Sequence, residues 1–451
     1  AIGEGLTAEA EQKSSVTTTA TGQTEGSNVA VGASLGLTVA VDTVTATTGR
    51  DIAAGTGDVS FTAKSAASSA TKATASAAGG KEADENGEAE AGQDVNAQVA
   101  NQRSFAAGQS SEAGDATSDA ETPTADTDDS GGSVSVAAAI GVNVGVSNTT
   151  AYIPEERRVS STGGALNLTT VATTDASAVA EGKQVDSTGG TAVGVGAAVA
   201  LNVGVANTTA YIGDDADIDT VGVNLSARTT AEGEEEAINA FKAEAVSGAG
   251  ASSVGLAGSL ALNVTANKSE AYIAGDRTGT AEDGNTTTAS INAGNGALTL
   301  DAQNKSTSTV NAGADVKPGE GQDPAQVGVG ASIGLNVGVN QTRAEVEDEV
   351  ALSGIGSASL TAASDHTMTT DATGGAAGGV AVTPLAALSI SVNETRAQLG
   401  SGSEVAIGEG LTAEAEQKSS VTTTATGQTE GSNVAVGASL GLTVAVDTVT
   451  A

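Results

Sequence analysis

Carboxylates crowd three short segments of this 451-residue chain: Asp214, Asp215, Asp217 and Asp219 in GDDADID, Glu345, Glu347, Asp348 and Glu349 in EVEDE, and Glu232, Glu234, Glu235 and Glu236 in EGEEE. Oxygen clusters of this kind are what Ca²⁺ takes as ligands, so the four aspartates are the candidate metal site and calcium is the candidate cofactor. Neither an EF-hand loop nor a GGxGxD nonapeptide accompanies them, and the competing reading is solvated acidic turns. The single histidine, His366, has no cysteine and no second histidine to complete a nucleophile or metal constellation, and it is expected to face solvent. A polysaccharide-cleaving β-helix would need a cleft with fixed carboxylates, which the scattered acids do not specify, so no enzyme activity is expected.

Other polar residues recur in columns. Asn143, Asn202, Asn263 and Asn336 hold the same place in four successive repeats, where stacked amides can hydrogen-bond along an axis. The chain's three tyrosines, Tyr152, Tyr211 and Tyr272, share another place, which reads as an aromatic ladder or as a stripe on which sugars stack. Asn148, Asn207, Asn267, Asn340 and Asn393 begin Asn-x-Ser/Thr sequons near the end of a strand, which makes them candidate glycosylation acceptors.

The elements that must position these residues are repeats. Ala1 to Ala46 recur letter for letter as Ala406 to Ala451, an offset of 405 residues that implies a tandem array. Within one period a strand-like segment returns six times, at Val29, Val134, Val193, Val254, Val327 and Val380. VGVGASIGLNVGV from Val327 alternates large aliphatic with small or polar residues, the period of two that marks a strand. The aliphatic side is expected to face the interior, and the Gly/Ala side to allow another wall or a neighbouring chain to come close. Pro384 has no N–H, so a bulge or altered pairing is expected there.

A short motif follows each such strand, seen as TTAYI at Thr149 and Thr208, SEAYI at Ser269, TRAEV at Thr342 and TRAQL at Thr395. A third strand motif, such as LNLTT at Leu166 or LTLDA at Leu298, then leads into Thr/Ser-rich segments. This predicts an all-β parallel solenoid, or β-helix, with about six coils per 405-residue superrepeat and roughly three strands per coil. The chain divides into 1–27, the end of a coil copied at 406–432; 28–132, a coil with an acidic insert at about 79–132; 133–190; 191–250; 251–325, with an insertion; 326–378; 379–432; and 433–451, the start of the next superrepeat. The insert reads as a flexible acidic loop.

Composition sets the wider bounds. Aromatic residues make up 1% of the chain, cysteine and tryptophan are absent, and 60 residues are glycine, so an aromatic-rich core and a disulfide framework are both excluded. A net charge of -37 argues against nucleic acid and anionic membrane as partners. Membrane insertion is not expected either: no bulky apolar run has the length of a membrane helix, and a transmembrane barrel would carry aromatic girdles.

At VGVGAAVALNVGVANTTAYIGDDADI and the following VNLSA, the sequence resembles the large repetitive exoproteins of the filamentous haemagglutinin and leukotoxin-like adhesin type. The resemblance spans nearly all six units, and it implies a secreted β-solenoid used in adhesion or cell-surface structure. The near-perfect 405-residue superrepeat departs from that type and favours a surface filament. The expected function is a structural subunit of a long extracellular or cell-surface fibre whose partners are other copies of the chain; the alternative is a secreted adhesin that binds glycans or surfaces.

Overall fold

A computed structural model describes residues 4–26, 29–79, 134–185, 192–230, 237–251, 253–275, 288–317, 325–402 and 405–451, and every regular element among them is a strand. The acidic insert and Glu232, Glu234, Glu235 and Glu236 lie outside the described residues. The chain opens with a polar strand β1 (Leu6–Gly26), an aliphatic strand β2 (Val29–Thr47) and a short strand β3 (Ile52–Ala54). The same triplet returns as β4 (Val59–Gly79), β5 (Val134–Ile153) and β6 (Arg158–Ser161), then as β7 (Leu166–Val185), β8 (Val193–Ile212) and β9 (Asp217–Asp219). The next polar strand is split into β10 (Val223–Arg228) and β11 (Asn239–Ala249), ahead of β12 (Val254–Ile273) and β13 (Ser290–Asn292). β14 (Ala297–Val316), β15 (Val327–Val346) and β16 (Ala351–Ser353) follow. In β17 (Ile355–Leu399) and β18 (Ile407–Thr450) the polar and aliphatic halves run on as one strand.

All pairing is parallel. Like strands stack on like: Val29 pairs with Val134, Val134 with Val193, Val193 with Val254, Val254 with Val327, Val327 with Val380 and Val380 with Val434. The result is a parallel β-solenoid with one polar wall, one aliphatic wall and a narrow five-stranded third side, β16-β13-β9-β6-β3. β17 belongs to both walls, which joins them into one 13-stranded sheet. Pro384 sits in β17, and the pairing of β15 with β17 skips from Val329–Val382 to Ser332–Leu385 without a change of register. The missing N–H therefore interrupts the ladder locally and produces no bulge there.

The large apolar residues of the interior gather at the corner beside the third side. Ile153, Ile212 and Ile273 from the aliphatic strands meet Leu166, Leu168, Leu225 and Leu300 from the polar strands and Val159, Ile218 and Ile291 from the short strands, all fully buried. This corner sets the phase of everything upstream. Because side chains alternate strictly, an inward Ile212 requires Ala210, Thr208, Ala206, Gly204 and Asn202 to point inward, and Val205, Val203 and Leu201 to point outward.

The aliphatic stripe is thus on the outside, and the expectation that it faces the interior is corrected. Away from the corner the two walls lie too close for large side chains. A Cβ on Gly141 would fall 2.7 Å from the carbonyl oxygen of Val179, and one on Gly328 would fall 2.5 Å from that of Ala377. Buried alanines such as Ala137, Ala178, Ala200 and Ala245 fill this thin interior. Where one wall does carry a large residue, the other answers with glycine: Gly204 lies against Phe241 and Gly338 against Met368, and on the opposite side Gly374 and Gly427 lie against the inward Leu385.

Candidate functional site: an aliphatic outer face and its polar border

The outer face of the aliphatic wall is built from alternate residues of seven strands in register. From Val29 to Val41 every outward position in β2 is Val, Leu or Ala, and the columns stay apolar through β5, β8, β12, β15, β17 and β18, with Ile entering at Ile140, Ile333 and Ile390 and the exceptions Gly258 and Pro384. One column runs from Leu37 through Leu201 and Leu335 to Leu442; the next runs from Val39 through Val203 and Val337 to Val444. Large apolar residues stand open to solvent at the first strand, where Leu35 is 66% exposed, and in the body of the wall, where Ile333 is 51% exposed. Soluble surfaces seldom expose apolar patches beyond a few hundred Å², and a larger patch marks a contact surface.

Past Val41 the face turns polar, and the tyrosines stand in this border. Tyr152 and Tyr211 stack with ring centroids 4.8 Å apart, and Tyr211 and Tyr272 stack at 5.2 Å, each pair within 5° of parallel. The Arg343 guanidinium covers Tyr272 at 4.3 Å from its centroid. The inner ring faces are therefore taken up by the ladder itself, which leaves little platform for sugar stacking. Burial, followed by the Glu270 and Tyr211 charges, pushes the Tyr272 hydroxyl up to about 12, with Arg343 opposing.

Arg343 is itself buried among carboxylates. Its Nη1 donates to Glu347 Oε1 at 2.8 Å and to Glu345 Oε2 at 3.2 Å, and its Nε lies 3.4 Å from Glu270 Oε1. Burial alone would ease its deprotonation, but Glu270, Glu345 and Glu347 outweigh that and raise its pKa. Glu345 and Glu347 of EVEDE thus compensate a cation of their own wall, while Asp348 accepts from Ser401 in the following turn. Sequence reading missed this cluster; the signal was a charged residue in TRAEV at the place that is Thr150 and Thr209 in other coils.

The four aspartates do not converge. Asp214 and Asp215 form a tight turn in which Asp215 takes a φ of 57° and donates its N–H to Asp214 Oδ1 at 2.9 Å. Glu156 and Glu349 repeat the positive φ in the equivalent turns, at 58° and 63°. Asp217 pairs with Arg158 at 3.4 Å, and Asp219 accepts from Asn292 at 3.0 Å. Among the described residues no group of three or more His, Cys, Asp or Glu is placed to hold a metal, so the calcium site at Asp214, Asp215, Asp217 and Asp219 is corrected to a structural turn and a short strand.

The asparagines make two internal ladders. Asn143 Nδ2 donates to Asn202 at 2.8 Å, Asn202 to Asn263 at 2.8 Å and Asn263 to Asn336 at 3.4 Å, with cross-wall bonds from Asn202 to the Ala176 carbonyl and from Asn263 to Ser308. The second ladder, which sequence reading took for sequons alone, runs from Asn267 to Asn340, to Asn393 and on to Asp447, each step at 2.7 Å. Asn267, Asn340 and Asn393 are thus buried between the walls, and the glycosylation reading is corrected for these three because a glycan has no room there. Asn148 and Asn207 point outward, joined by a 2.8 Å hydrogen bond. The five fall on two faces because Asn267 pairs with Ala206, one residue out of step with Asn207.

His366 is also inside, where its Nδ1 meets Ser306 Oγ at 2.8 Å, and the expected solvent exposure is corrected. Burial lowers its pKa to about 4 against the opposing charge of Asp447, so the ring is neutral at neutral pH. No protein-family model, curated protein or solved structure matches the chain.

Proposed function

We propose that the chain is a structural subunit of a long extracellular or cell-surface fibre, built by continued stacking of its coils. One observation carries this reading. The same 46-residue sequence ends the stack at both sides: as β1 and β2 it pairs forward, Leu6 with Val59 and Val29 with Val134, and as β18 it pairs backward, Leu411 with Ala358 and Val434 with Val380. A single coil sequence thus has a fitted neighbour on each side, and a stack can grow by whole periods with no mismatched junction.

The mechanism is mechanical. Parallel backbone ladders run along the axis, the corner aliphatics hold the coils together at roughly 1.5 to 3 kcal/mol per fully buried large side chain, and the asparagine ladders fix the register. Fibre diffraction or cryo-electron microscopy of native material tests it. Strands about 4.8 Å apart along the axis, with six coils per period, give a superrepeat of about 29 Å; another axial repeat would overturn the stacked fibre. The adhesin alternative draws less support, because the tyrosine stripe is closed on itself and capped by Arg343.

A further inference from the structure

We infer that the aliphatic outer face is a docking surface for a second copy of the same chain, joined face to face so that both polar walls point to solvent. The inference goes beyond the fibre reading and does not depend on it. Stacking continues the chain along the axis, whereas this contact lies across it.

Area is the first argument. Thirteen residues at about 3.3 Å along each strand, over seven strands about 4.8 Å apart, give a face of roughly 1,400 Å². Pairing two such faces would bury nearly 3,000 Å² in total, about the size at which obligate homodimers hold together.

Charge is the second. The outward positions from Val29 to Val41 and their column partners carry no ionisable group, while the chain as a whole is at -37. Two copies repel one another through their other surfaces, and this uncharged face is where that repulsion is least. A charged partner would find nothing on this face to pair with.

Shape is the third. Over the first five strands Ala33, Ala138, Ala197, Gly258 and Ala331 form one column between a Val/Leu column starting at Val31 and a Leu/Ile/Val column starting at Leu35; in β17 the column carries Pro384 and the second ridge falls to Ala386 before Ala438 and Leu440 restore the pattern. That leaves a furrow along the stacking axis, flanked by two ridges. A facing copy carries the same ridges and can seat one in the furrow, as the inner faces of packed sheets interdigitate.

The test is sedimentation of the 451-residue chain. Pairing should be seen at micromolar concentration, survive EDTA and strengthen in sulfate, as apolar contacts do. The double variant Leu262→Lys/Leu335→Lys should keep its strand circular dichroism and weaken association at least 100-fold, while Thr173→Lys on the polar wall should change nothing. Should the double variant fail to fold, the absence of cysteine allows a spin label at Ala197→Cys. Dipolar coupling between copies is expected there and not at a label on Thr173→Cys. A wild-type chain that stays monomeric at 100 µM, association abolished by EDTA, or uptake of single chains by phosphatidylcholine vesicles in place of pairing would each overturn the second-copy assignment. None of these outcomes bears on the axial repeat, so the two readings fail separately.

Discussion

His366 shows how one buried side chain sets a pH limit. Its pKa is about 4 in the fold and about 6.5 unfolded, so between those values the unfolded chain binds a proton that the folded chain refuses. The stability this represents is complete above pH 6.5 and is lost as pH falls towards 4, by about 3 kcal/mol at most. Denaturation midpoints measured from pH 7 to 4 should show this loss, and His366→Ser, which matches its stacked neighbours Ser306 and Ser419, should flatten that part of the profile. Asn202 works differently, because it gives and receives along the ladder. Asn202→Ala removes the acceptor of Asn143 and the donor to Asn263, and is expected to cost about 1 to 3 kcal/mol in chemical denaturation. Arg343→Met leaves Glu270, Glu345 and Glu347 packed together without their cation, with an expected loss of about 3 to 5 kcal/mol.

Among the strands, large residues are tolerated or rejected according to the parity of their position. Leu335 lies outward and Gly204 inward, although both come from the same kind of strand. Gly204→Val would drive two methyl groups into the Phe241 ring, and an overpacking cost of about 1 to 3 kcal/mol or more should appear as a lower thermal midpoint. Leu335→Asp should change the stability of the unpaired chain by no more than about 0.5 kcal/mol, since it sits on the outer surface. An equally large loss from both would contradict the outward placement of the aliphatic stripe. Pro384 is matched on the β18 side by Ala438 and skipped on the β15 side, which shows that a parallel ladder absorbs one missing donor without shifting its register.

For the whole molecule, the two walls have different outer chemistry: charged and hydroxylic on one, aliphatic on the other. A stack with that section is amphipathic along its entire length, so a fibre of such coils would have one side that water avoids. The sequence by itself determined the strands, their order within a coil, the six-coil period and the columns of Asn143 to Asn336 and Tyr152 to Tyr272. All of these follow from periodicity, and periodicity is local. It could not decide which side of the alternation faces inward. In VGVGASIGLNVGV the aliphatic side is the natural choice for a core, yet Ile212 and its counterparts at the corner fix the opposite parity, and the nearness of the facing wall favours Gly, Ala, Ser, Thr and Asn there, with a large inward residue such as Leu385 seated against glycines of the other wall. The places of His366, Asn267, Asn340 and Asn393, the clustering of carboxylates around Arg343 and the separation of Asp214 from Asp219 follow from that same choice of phase and from how turns close each coil. Only the tertiary structure decided them, because alternation says that neighbours point to opposite sides and says nothing of what lies on either side.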